Sequence, residues 1–115
     1  MQCAVAIQVL PMDAVSDDEV VRIVDEVIDY LRAQPVSLFV GPFESAVEGD
    51  YDLCMDILKA CQEIAVKAGA GKVMTYAKID VRAEEPMLTT ERKVGKYAGI
   101  NARFDADHAL SLIHI

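Results

Sequence analysis

Ser45, Glu48 and Asp50 place a hydroxyl and two carboxylates inside the short segment Glu44-Ser45-Ala46-Val47-Glu48-Gly49-Asp50. The segment reads as a strand running into a helix. Gly49 permits a tight backbone at the junction, and Asp50 is suited to cap the helix that follows. Such a junction exposes backbone N–H groups and gathers polar side chains where a small ligand can lie. The chemistry it suggests is recognition rather than bond making. A hydrolase triad would lack its base, because His108 and His114 lie far along the chain. No phosphate loop or dinucleotide fingerprint is present, and Asp17-Asp18-Glu19 with Asp25-Glu26 are explained by helix capping and a solvated helix face, not a metal site.

A second polar signal is Gln8, the lone amide in the uncharged stretch Gln2 to Leu10 after its first residue. An amide in such a strand needs a hydrogen-bond partner, either a ligand or a residue across an interface between copies. Ser45 reads as a ligand group or as a strand hydroxyl bonded to backbone. Glu48 reads as a ligand group or as part of the negative cluster near a helix start. Tyr76 and Lys78 alternate with Asp80 on one side of a later strand. Tyr76 is a ring wall or a packing residue, and Lys78, Asp80 and Arg82 also read as a salt-bridge ladder. Met12, Phe39 and Phe43 could wall an apolar pocket, with core packing as the alternative.

The elements that must position these groups are legible from periodicity. Gln2 to Leu10 predicts a strand ended by Pro11. Ser16-Asp17-Asp18-Glu19 predicts a capping box, followed by Val20, Val24, Val27, Ile28 and Leu31 at helical spacing to about Ala33. Val36 to Val40 and Phe43 or Glu44 to Glu48 are strands around a Gly41-Pro42 turn. Asp50 opens a helix with Leu53, Ile57, Cys61, Ile64 and Ala68 inward, stopped by Gly69 and Gly71. Lys72 to Val81 is a fourth strand, and Thr89 or Thr90 caps a final helix through Tyr97. The order βαββαβ predicts an α+β, ferredoxin-like sandwich, a four-stranded antiparallel sheet with two helices on one face.

Val5, Ile7 and Val9 then face the helices. Ala4, Ala6, Gln8 and Leu10 face the other way, on a surface too apolar to be simply solvated. A second copy of the same sheet is the expected cover, giving a homodimer or a tetramer of dimers. The third strand is ambiguous: if Ser45 points to the open face, Glu48 points away unless the strand bends at Gly49.

A chain of 115 residues with 53% hydrophobic residues supports one domain, read as residues 1–100. The remaining 101–115 read as a tail without order. Its end, Leu110-Ser111-Leu112-Ile113-His114-Ile115, resembles a translated sequencing-library adapter and is set aside. The net charge of −8 argues against nucleic acid and mildly favours a cationic ligand. Cys3, Cys54 and Cys61 have neither disulfide nor zinc spacing and fit a reducing cytoplasm. The uncharged N-terminal run is too short to span a bilayer and lacks a basic leader region, so no membrane partner is expected.

The opening strand ending in Leu10-Pro11-Met12, the Phe43-Glu44-Ser45-Ala46-Val47-Glu48-Gly49 segment and Lys78-Ile79-Asp80-Val81-Arg82, in this order and spacing, resemble the small thiamine-binding, YkoF-like family. The resemblance runs from about Met1 to Tyr97. At Ser45 the chain departs from the family's usual threonine, keeping the hydroxyl and losing the methyl. The resemblance implies a ferredoxin-like subunit paired through its sheets, binding of thiamine or its hydroxymethylpyrimidine part, no catalysis and no cofactor. Such a ligand needs groups for an aminopyrimidine edge, a flat apolar surface and negative potential. Gln8, Ser45, Glu48, Gly49, Tyr76, Met12 and Lys78 are the expected binding residues. The alternative is a structural or regulatory homo-oligomer with no small ligand, its open face filled by the partner sheet and Gln8 bonded across it.

Overall fold

The computed structural model describes residues 1–84 and 88–102. Eight elements follow in order: β1 (Gln2–Pro11), α1 (Asp17–Arg32), β2 (Ser37–Val40), β3 (Ser45–Asp50), α2 (Tyr51–Lys67), β4 (Val73–Arg82), α3 (Thr90–Val94) and a 3-10 turn (Gly95–Tyr97). The chain is helical again over 98–102, two residues into the stretch expected to lack order. The adapter-like stretch Leu110 to Ile115 lies outside the described residues, as do His108 and His114.

The sheet order is β2-β3-β1-β4, with every neighbouring pair antiparallel. This is the ferredoxin-like split βαβ. Among the described residues, no helix is long and apolar enough to cross a membrane.

The capping box forms with one change of partner. Ser16 Oγ accepts from the Glu19 N–H at 3.2 Å, but Glu19 Oε2 accepts from the Val15 N–H at 3.1 Å rather than from Ser16. Asp50 caps α2 by accepting from the Leu53 N–H at 3.3 Å. α2 ends at Gly69, whose φ of 121° is left-handed and suits glycine. The side chain of Arg22 donates to the Ala68 carbonyl at 2.8 Å, tying α1 to the end of α2. Asp13 accepts from the N–H groups of Gly71 and Lys72, pinning the β1–α1 loop to the start of β4. On the outer face of α2 an ion pair joins Lys59 to Glu63 at 3.9 Å.

The core lies between the helices and one sheet face. Cys3, Val5, Ile7 and Val9 of β1 meet Val47, Ile23, Leu31, Ile57, Cys54 and Cys61 there. On α1 the fully buried residues are Ile23, Val27 and Leu31, whereas Val20, Val24 and Ile28 of the expected stripe are half-buried. The buried stripe of α1 is therefore rotated toward Ile23, and the displaced residues turn out to wall a cavity. Burial holds the core thiols protonated: Cys54 and Cys61 are pushed up to about 11, and Cys3 is raised too, chiefly by burial.

Candidate functional site

A difference in strand length creates the site. The β1–β3 ladder stops at Ile7 opposite Ser45, whereas β1 continues beside β4 as far as Pro11 opposite Val73. Gln8, Val9 and Leu10 therefore have a strand on one edge and a notch on the other. On the notch side the chain has turned through Gly41-Pro42, closed by the Gly41 N–H donating to the Glu44 carbonyl at 3.0 Å. α1 roofs the gap with Val20, Val21, Val24 and Ile28. The result is a cavity of about 330 Å³ between β1, α1 and the β2–β3 turn, at the small end of ligand-sized pockets.

Two polar residues at its edge have no side-chain hydrogen-bond partner among the described residues: Ser45, on the helix-facing side with Ile7, and Gln8, whose side chain belongs to the opposite face with Tyr76. Ser45 is only 9% exposed. The fully buried hydroxyl without a partner among the described residues is instead that of Thr75, opposite Val9 on β4. Around these two groups the walls are mostly aliphatic, with Phe43 and the carboxylates of Asp25 and Glu44 also lining the cavity.

The opposite sheet face is organised differently. Cross-strand partners share a face, so Ala4, Glu48 and Asp80 lie together, as do Ala6, Ala46 and Lys78, and Gln8 and Tyr76. α3 lies over part of this face. The N–H and the hydroxyl of Thr90 both donate to the Glu48 carboxylate, and Thr89 caps α3 by accepting from the Arg92 N–H at 3.2 Å. Between α3 and the floor of Ala4, Ala6 and Ala46 is a second cavity of about 540 Å³. Of the charged groups here, Lys78 pairs with Glu44 at 3.4 Å and Asp80 with Arg82 at 3.7 Å, while Lys93 of α3 also lines the cavity.

The expected residues thus divide. Ser45 and Gln8 are brought to one cavity within a single subunit. Ser45 takes the helix-facing side of β3 with Ile7, and Glu48 takes the open face, which resolves the ambiguity of the third strand. The cavity that Ser45 and Gln8 both line opens at the sheet's edge under α1. Glu48 serves α3 instead. Gly49 is a packing residue, because a Cβ there would stand 2.9 Å from Val36 Cγ1. Tyr76 is exposed across from Gln8 and lines neither cavity. Met12 lines neither and is held by its N–H to the Lys72 carbonyl at 2.8 Å. Lys78 lines the second cavity only. Asp25, expected on the solvated side of α1, is exposed there and was not expected near a cavity. It lines the notch four residues after Val21 and three before Ile28, a spacing that puts all three on one helix face.

Residues 5–98 match the family model described as thiamine-binding protein. The UPF0045 protein of Clostridium perfringens is 40% identical over 95 residues, covering 83% of this chain and 96% of that protein. A Bacillus cereus structure of a domain of unknown function, DUF77, superimposes with a TM-score of 0.74 at 33% identity, covering 84% of this chain and 90% of that one. A Thermotoga maritima crystal structure, named as a candidate thiamine biosynthesis/salvage protein, gives 0.68 at 30% identity over 84% and 99% of the two chains.

Proposed function

The chain belongs to the thiamine-binding protein family, and from that premise we propose that it is a non-catalytic binding protein for thiamine or its hydroxymethylpyrimidine part, serving carriage, salvage or sensing. The observation that carries this reading is the cavity of about 330 Å³ where the β1–β3 ladder ends, lined by Ser45 and Gln8, neither of which has a side-chain hydrogen bond among the described residues. Gln8 can both donate to and accept from the aminopyrimidine edge. Ser45 supplies a further donor or acceptor, and Val20, Val24 and Ile28 cover the ring face. Ligand contacts replace hydrogen bonds that the empty chain leaves unmade, which is where binding energy is gained most efficiently. Buried thiols with raised pKa values are poor nucleophiles, in keeping with a binding role. They also suit a reducing cytoplasm.

The homo-oligomer is part of the same proposal. Phe39, Met74 and Tyr76 remain exposed on the open face beyond α3. A second copy of this sheet is the cover proposed for them, with a tetramer as a pair of such dimers. Ser45 lies on the helix-facing side, away from this face, whereas Gln8 shares the face with Tyr76 and so stands where a partner sheet would dock.

The test is a thermal-shift titration with thiamine and with hydroxymethylpyrimidine. The melting temperature should rise, and Ser45→Ala and Gln8→Ala should each weaken binding about tenfold, the cost of one lost buried hydrogen bond. A folded protein with no shift at millimolar ligand would contradict the reading and favour the ligand-free oligomer.

A further inference from the structure

We infer that Asp25 sets the charge preference of the notch, so that the site takes a cationic or neutral heterocycle and rejects its phosphate ester. This rests on the reading of the notch as the ligand site. Among the described residues lining the cavity there is no Lys, Arg or His, and Asp25 and Glu44 are the charged ones. Glu44 is compensated by Lys78 at 3.4 Å. Asp25 has no hydrogen bond or ion pair among the described residues and is exposed, so its carboxylate stands at the rim with its charge uncompensated. The N-terminal end of α1 does not offset it, since Asp17, Asp18 and Glu19 fill the first turn.

A second feature of the cavity is independent of charge: Ser45, a residue 9% exposed whose hydroxyl has no hydrogen-bond partner among the described residues. Ser45 and Gln8 orient the ring, and Asp25 decides what may be attached to it. A quaternary nitrogen near the rim is attracted, and a phosphate in the same place meets a carboxylate with no cation to balance it. At separations of roughly 6 Å in partly solvated surroundings, each effect is worth about tenfold in affinity.

The experiment is calorimetric titration of the full chain and of Asp25→Asn with three probes: thiamine, neutral hydroxymethylpyrimidine and thiamine monophosphate. The unaltered chain should bind thiamine at least tenfold more tightly than its monophosphate. Asp25→Asn should weaken thiamine about five- to tenfold, leave the neutral pyrimidine within twofold and improve the monophosphate. Equal affinity for thiamine and its monophosphate would overturn the inference while leaving the site intact. Parallel loss of thiamine and the neutral pyrimidine in Asp25→Asn would overturn it too, by making Asp25 a shape determinant. Binding of none of the three would instead overturn the ligand site itself.

Discussion

The notch under α1 and the cavity under α3 are made from opposite faces of the same strands, and they differ in how their polar groups are satisfied. Under α3, Glu48 is taken by Thr90 and Lys78 by Glu44. Under α1, Ser45 and Gln8 are left open. The larger cavity is therefore the poorer candidate for the ligand, since a ligand there would compete with bonds already made. On the proposed reading, the site is marked by unspent hydrogen-bonding capacity rather than by volume.

Filling the notch should break this contrast most severely. Ser45→Phe places a ring in the cavity and should lower thiamine affinity by at least about a hundredfold, measured by calorimetry. The equivalent block under α3, Ala46→Phe, should leave affinity within about twofold. The next largest effect concerns the core that both regions share. Cys54 and Cys61 titrate near 11 in the fold, raised by burial from an ordinary value near 9. A raised folded-state pKa means that this stability is fully present below pH 9 and is lost as pH climbs from 9 toward 11. The loss should reach about 2 kcal/mol per thiol at pH 11, read from urea melts across that range. Smaller still, Glu48→Ala should cost about 1–2 kcal/mol by freeing Thr90 and loosening α3, with ligand affinity unchanged. Lys78→Ala should cost less than about 0.5 kcal/mol, because its pair with Glu44 is largely exposed.

Local rules made much of this legible in the chain itself. Alternation along β1 predicts which residues reach the core, and Val5, Ile7 and Val9 do. The Ser16 and Asp50 caps follow from side-chain chemistry within three residues of each helix start. The assignment of Ser45 and Gln8 as polar ligand groups drew on the same local oddity, a hydroxyl and an amide amid aliphatic neighbours. The cavity that joins them was not legible, because it depends on where the β1–β3 ladder ends relative to β1–β4. That is a property of register between segments far apart in sequence. The bond between Glu48 and Thr90 was not legible for a related reason: the two lie 42 residues apart. Asp25 looked like one more solvated carboxylate because a helix pattern shows which face is polar, not what stands opposite it.

The most direct measurement is a two-dimensional amide NMR titration with thiamine, including side-chain amides. The account predicts that the largest shifts fall on the Gln8 side-chain amide, on Ser45 and on Val21 to Asp25 of α1, with Thr90 to Val94 unmoved. Shifts concentrated instead on Ala46, Lys78 and Thr90, or none with saturating ligand, would contradict it.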